Sequence, residues 1–162
     1  MEREMRRRRQ QLGREECERI LRKMTSGVLA VCGADGWPYA VPLSFVYDDG
    51  MIYFHSAVKG HKLDVLAENP RVSFCVVEKD DVVPEEFTTY FRSVIVFGTA
   101  RIMTDGGDKL AALRLLADKY SPDDTWRREE EIAKGLNHLV MVEISVERMT
   151  GKEAIELVRA RK

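Results

Sequence analysis

The sequence predicts a mainly β, α+β fold: six antiparallel strands rolled toward a barrel, with helices at the ends and one helix crossing between strands. Three observations carry the prediction. Short apolar or alternating runs recur along the chain, and turn signals such as Gly33-Ala34-Asp35-Gly36 and Asp48-Asp49-Gly50 separate them. A few other stretches repeat apolar residues at helical spacing instead. Strands joined in this way leave edges, and closure is the usual way to remove them.

Size and composition agree with a single domain spanning residues 1–162, with a basic arm at 1–13 and a tail at 153–162. Apolar residues make up 44% and charged residues 33%, as in soluble globular proteins. The net charge is −1, from 26 basic and 27 acidic side chains, so no overall electrostatic case for a nucleic-acid partner exists. Cys17, Cys32 and Cys75 are odd in number and lack a CxxC spacing, which argues against a disulfide framework and a zinc ribbon. No apolar run approaches the ~18 residues of a membrane span. The start of the chain lacks the apolar segment of a secretory signal, so a cytoplasmic home is expected, where free thiols persist.

The arm carries Arg3 and the run Arg6-Arg7-Arg8-Arg9. Such a run can touch phosphates or an anionic membrane, but a solvated arm, or one packed on a partner subunit, is the reading adopted. A first helix follows, with Cys17, Ile20, Leu21 and Met24 at i, i+3, i+4 and i+7. Thr25-Ser26-Gly27 is expected to end it, Gly27 taking the left-handed conformation. Residues 28–32 read as a buried strand. Residues 37–47 read as a second strand, with Tyr39, Val41, Leu43, Phe45 and Tyr47 on a bulky face and Ala40, Pro42, Ser44 and Val46 opposite. Pro42 offers no ladder donor, which places it near an edge or beside a ligand.

After the Asp48-Asp49-Gly50 turn, residues 51–56 return as the third strand. A short helix at 61–68 carries Leu63, Leu66 and Ala67 inward, and Asn69-Pro70 stops it. Residues 71–78 alternate as the fourth strand, and the acidic, aperiodic stretch 79–89 is expected to be a mobile loop. The fifth strand spans 90–103, with Gly98 at a bulge or close approach. A helix from the caps around residues 104–108 to Tyr120 buries Leu110, Leu113, Ala117 and Tyr120. A polar helix at 127–134 precedes the last strand, 138–146, with Val140, Val142, Ile144 and Val146 inward.

The segment from Tyr53 to Leu63 is the most informative for chemistry. A strand ends, a small and basic loop follows, and a helix begins, an arrangement suited to a phosphate because amides at a helix start carry partial positive charge. Lys59 and Lys62 would add full charges, and Ser56 and His61 hydrogen bonds. A solvated basic turn is the alternative for the same residues. The small face of 42–47 beside this turn would let a flat ring approach the backbone, with ordinary barrel packing as its alternative. Trp37, Phe87 and Tyr90 read as core or lid aromatics, or as ring-stacking residues. His55 and His61 share no metal-ligand spacing with His138, so no metal site is expected. GxGxxG, Walker and GxSxG motifs are missing, which disfavours a dinucleotide-binding Rossmann fold.

Taken in order, Gly27-Val28-Leu29-Ala30, Asp35-Gly36-Trp37-Pro38-Tyr39, Val41-Pro42-Leu43, Val46-Tyr47-Asp48-Asp49-Gly50 and Ile52-Tyr53-Phe54-His55-Ser56 form a pattern. Lys62-Leu63-Asp64, Asn69-Pro70-Arg71-Val72, Tyr90-Phe91-Arg92-Ser93-Val94 and Thr150-Gly151-Lys152 extend it. The pattern resembles the nitroimidazole-resistance branch of the pyridoxamine-phosphate-oxidase-like superfamily, and the likeness runs over about the whole chain. It implies an FMN-binding split β-barrel, a homodimer, and two FMN clefts along the subunit interface. Carried over by position, Pro42, Leu43 and Ser44 would lie along the isoalloxazine ring. Phe54, His55 and Ser56 would border the ring and ribityl chain, and Lys59, His61 and Lys62 would hold the phosphate. Arg92 and Ser93 stand where the superfamily places polar FMN contacts, and His55 becomes the catalytic candidate near the reactive edge.

Two departures weigh against pyridoxamine oxidation. The tail Val158-Arg159-Ala160-Arg161-Lys162 does not match the substrate-holding segment of true oxidases, and Ser93 stands where they carry glutamine. The resemblance therefore implies an FMN-dependent, nitroreductase-like oxidoreductase taking electrons from NAD(P)H or another reductant to a small nitroaromatic or similar electrophile. The competing readings are a flavin-binding stress or storage protein without turnover, and a split-barrel protein binding another flat cofactor such as haem or a deazaflavin.

Overall fold

The computed structural model describes residues 4–123 and 125–161, so Arg3 and Lys162 lie outside the described residues. The elements in order are β1 (Gln11–Leu12), α1 (Arg14–Lys23), β2 (Ser26–Cys32), β3 (Pro38–Ser44), β4 (Val46–Asp48), β5 (Met51–Ala57), α2 (His61–Glu68) and β6 (Arg71–Val83). They continue with β7 (Thr88–Ile102), α3 (Gly106–Tyr120), α4 (Thr125–His138), β8 (Leu139–Glu153) and α5 (Ile155–Ala160). One antiparallel sheet runs in the order β3-β2-β6-β7-β8-β5-β4, with β1 added on β8.

Among the described residues eight strands stand where six are expected. The predicted strand 37–47 is two strands, because the chain changes partners at Phe45: β3 pairs with β2, and β4 pairs with β5 through a turn in which Asp49 and Gly50 have φ of 40° and 82°. Phe45 is fully buried, edge-on to Phe74 at 5.0 Å, so alternation of side chains continued through a point where the ladder stops. The sheet ends, β3 and β4, are consecutive in the chain but share no ladder, which leaves the barrel split between them.

Inside the barrel, α1 buries Cys17, Ile20 and Leu21 against Leu29, Phe54, Phe74 and Ile144, as the heptad-like spacing predicts. Each such side chain contributes roughly 1.5–3 kcal/mol. Gly27 does not close the helix. Met24, in extended conformation, ends it, and Gly27 lies in β2, where a β-carbon would meet Phe74 Cε1 at 2.3 Å. At Gly98 the register of β7 on β8 shifts and a β-carbon would stand 2.2 Å from the Ser145 carbonyl oxygen, so the predicted bulge and close approach coincide.

Outside the sheet, α3 and α4 cover β4, β5 and the start of β8 over a second cluster that includes Val46, Met103, Leu116, Ile132 and Met141. Asp105 caps α3 by accepting from the amides of Gly107 and Asp108. The buried stripe of α3 is Ala112, Leu113 and Leu116; Leu110 and Ala117 of the predicted set are half-buried against the same cluster, and Tyr120 is exposed. In α2 the buried residues are Leu63, Val65 and Leu66, with Ala67 exposed. Both α4 and β8 are longer than expected.

The stretch 79–89 is the clearest correction. It is a ladder, paired from Lys79↔Arg92 to Val83↔Thr88 and closed by a 3-10 turn at Pro84–Glu86. Much of this ribbon meets water on both faces, so no apolar period marks its strands.

Candidate functional site

The split is bounded by edge strand β3 on one side and by β5 and the corner into α2 on the other. Pro42 and Ser44 project outward and are exposed, opposite Val28 and Ser26, whereas Leu43 is half-buried toward the core. On β5 the order reverses: Phe54 and Ser56 are buried inward and His55 is exposed outward. Phe54 can therefore offer a ligand only its backbone.

A shared cleft and a ring contact tie the sides together. Ser44 and His55 line one cleft of about 740 Å³, whose other wall is built by α3 and α4 through Leu116, Tyr120 and Ile132, with Leu139 at the start of β8. The rings of Tyr39 and His61 meet edge-on at 4.8 Å, bringing the start of α2 against β3.

The corner has the features of an anion cradle. Gly60 holds φ of 154°, which side chains rarely adopt, and no side chain caps α2. The amides of Leu63 and Asp64 turn back to the Gly60 carbonyl, so the first intrahelical bonds begin beyond His61 and Lys62. Lys59 is exposed and Lys62 half-buried, and neither joins an ion pair among the described residues. Ser56 Oγ is buried without a hydrogen-bond partner among the described residues, which is unusual for a hydroxyl.

Arg92 and Ser93 stand apart from this group. Three strand spacings separate β3 from β7, about 14 Å at ~4.8 Å each. Arg92 is engaged by Glu78 at 3.1 Å and Glu153 at 3.1 Å. Burial pushes the Glu78 carboxyl up, but hydrogen bonds from Arg19, Arg92 and Lys23 hold it below its ordinary value. Ser93 faces outward opposite Val77 and Lys152. A single chain thus gathers Ser44, His55 and the 59–62 corner at the split, and leaves Ser93 across an exposed sheet face, with Arg92 turned the opposite way toward Glu78 and Glu153.

The α3–α4 wall was not anticipated from the sequence. Its key element is the end of α3. Tyr120 Oη accepts from the Phe45 amide at 3.1 Å and lies within hydrogen-bonding reach of the Phe45 and Thr25 carbonyls. Lys119 Nζ donates to the Met24 and Phe45 carbonyls and sits 4.4 Å from the Phe45 ring centroid. Burial pulls the Lys119 ammonium down to about 8. Helical spacing marks Tyr120 only as part of an inner stripe, and the polar surface of α4 carries no signal for a cleft. Among the described residues, no cluster of three or more histidine, cysteine or acidic side chains could hold a metal, and no helix is long and apolar enough to cross a membrane.

A family model described as pyridoxamine 5′-phosphate oxidase matches residues 13–153. A 5a,11a-dehydrotetracycline/5a,11a-dehydrooxytetracycline reductase of Streptomyces rimosus is 37% identical over 91 residues, which are 54% of this chain and 61% of that protein. The match therefore spans about three-fifths of the reductase. A FAD-binding protein of Mesorhizobium loti is 30% identical, with 89% of this chain and 96% of that chain covered and a TM-score of 0.65. A Bacteroides thetaiotaomicron protein provisionally assigned to 5-nitroimidazole antibiotic resistance has a TM-score of 0.74 at 22% identity, with 88% and 86% covered, and supports the fold.

Proposed function

The chain belongs to the pyridoxamine 5′-phosphate oxidase family, and from that premise we propose that it binds FMN in the split and reduces small electron-poor molecules such as nitroaromatics. The observation that carries this reading is the convergence at one gap of the uncapped α2 start and of Lys59 and Lys62, which have no carboxylate partner among the described residues. A phosphate at the corner would satisfy the His61 and Lys62 amides and the ammonium groups of Lys59 and Lys62. Pro42, the backbone of Leu43, Phe54 and Ser56, and Ser44 would flank the ring and ribityl chain.

A flavin, when bound, carries electrons from a reduced donor such as NAD(P)H to an electrophilic acceptor. The protein's own part is to orient it and hold the acceptor. His55, on the wall of the cleft, would donate a proton to the acceptor or orient it, as hydrogen-bond reach requires. The α3–α4 wall, where Leu116 and Ile132 stand beside Arg128 and Glu131, would accept a flat molecule with both apolar and polar groups. The reductase and the FAD-binding protein described above support a flavin-linked reduction over pyridoxamine oxidation. Arg92 and Ser93 would complete the site from a second copy, in a homodimer, since one chain keeps them away from the split.

The test is direct. Freshly purified protein should show flavin absorbance or take up added FMN stoichiometrically. With NAD(P)H or another reductant it should then consume a nitroaromatic or conjugated enone. Failure to bind any flavin would remove the reading, and binding without turnover by any donor would reduce it to a flavin carrier.

A further inference from the structure

The β6–β7 ribbon ends in an aromatic knob that its own chain does not use. Phe87 is 97% exposed. Its backbone is left-handed, at φ 51° and ψ 39°, a conformation disfavoured for any residue with a β-carbon. Glycine or asparagine would serve the turn better. Val82 beside it is 70% exposed. A two-stranded ribbon that meets water over much of both faces is marginal unless something packs on it.

Four carboxylates surround the knob. Asp81 pairs with Lys79, and Glu86 accepts from the Tyr90 hydroxyl at 2.8 Å. Asp80 and Glu85 have no partner among the described residues.

At the same end of the barrel stands the opposite chemistry. Arg6, Arg7, Arg8 and Arg9, all exposed, line a groove of about 490 Å³ with Gln10 and Ile155. The groove is anchored, not dangling: Gln10 donates to the Glu153 carbonyl at 2.8 Å, and Gln11 pairs with Lys152 on β8. Arg8 pairs with Glu4 and Arg7 reaches Gln10, but Arg6 and Arg9 have no partner among the described residues. The base of the ribbon lies here too, since Arg92 stands opposite Glu153. Phe87 is five residues farther out, about 17 Å at ~3.3 Å per residue, and among the described residues the carboxylates around it make no ion pair with the arm of their own chain.

We propose that the acidic, Phe87-tipped ribbon of one copy docks into the arginine arm of a second copy, the ring lying on guanidinium groups in the groove and Asp80 and Glu85 pairing with Arg6 and Arg9. Aromatic rings pack favourably on arginine, and aromatic knobs are the usual anchors of interfaces. Both halves of the contact sit at one end of the molecule, so a two-fold axis there makes it twice, tip to arm and arm to tip. The contact shares with the proposed function only the second copy and needs no flavin.

Charge reversal tests it by sedimentation at low salt. Asp80→Lys with Glu85→Lys should weaken dimerisation by about tenfold or more, as should Arg6→Glu with Arg9→Glu. An equimolar mixture of the two double variants should recover association, because each reversed tip then meets a reversed arm. Melting temperatures of the separate variants confirm that all remain folded. Phe87→Gly should raise the melting temperature, through relief of the left-handed strain, while weakening the dimer. Wild-type association in either double variant, a mixture no better than its components, or an unchanged dimer constant in Phe87→Gly would overturn the proposal. The first two outcomes would leave the arm as a site for another polyanion.

Discussion

Lys62 is the residue on which the cofactor assignment turns. It is the second residue of α2, half-buried, beside amides that no side chain caps. A charged group there meets a phosphate with help from the helix start rather than alone. Lys62→Ala should weaken FMN binding by ~1.5–3 kcal/mol, the value of a hydrogen bond to a charged group. Lys62→Arg should retain most of the affinity. Quenching of flavin fluorescence on titration measures both, and an unchanged constant in the alanine variant would reject the phosphate site. That His61 and Lys62 open a helix after a glycine was legible, because a strand, a small basic loop and a new apolar period follow one another within eleven residues. That Ser56 would be buried and unpartnered was not, since a single hydroxyl at a strand end carries no sign of which face it takes.

At the scale of elements, the end of α3 controls the shape of the split. Lys119 and Tyr120 bind the backbone of Phe45, where the chain leaves β3 for β4 and where a ladder supplies no partner. The lysine answers to pH. Its folded value of about 8 lies below its ordinary 10.5, so between those values the unfolded chain holds more proton than the folded one. Unfolding free energy should therefore rise with pH across that window, relative to Lys119→Met, and the difference should be flat below about pH 8. Urea unfolding of both proteins from pH 7 to pH 11 reads this, and a pH-independent difference would show that the ammonium is not buried as described. Alternation could not reveal the break at Phe45, because a fully buried ring keeps the inward phase on both sides. Nor could it reveal the ribbon at 79–89, where neither face is buried and composition alone suggested a loop. The α1 stripe and the Asp49-Gly50 turn were readable because each depends on local chemistry.

The whole molecule explains why part of the candidate site looks dispersed. The outer face of β5 and the start of β8 lie under α3 and α4, but that of β3, β2, β6 and β7 is bare. Across it runs a row in register, Pro42, Val28, Cys75 and Ile95, with Phe97 and Val77 adjoining. Val28, Ile95 and Phe97 are each 39% exposed and Val77 51%, a contiguous apolar surface of the kind that marks an interface. Pro42 and Ser44 begin this face at the split, and Ser93 lies on it three strands away, so a second copy packed there could bring its own Ser93 to the first copy's cleft. Ile95→Lys tests that arrangement without touching the core, since the side chain already faces outward. The variant should melt close to wild type, behave as a monomer in light scattering, and lose FMN affinity by about tenfold or more, because half of each cleft leaves with the partner. A variant that stays dimeric with full flavin affinity would place the second copy elsewhere. A monomer that still binds FMN tightly would mean that the split holds its ligand alone, with Arg92 serving only to tie Glu78 to Glu153.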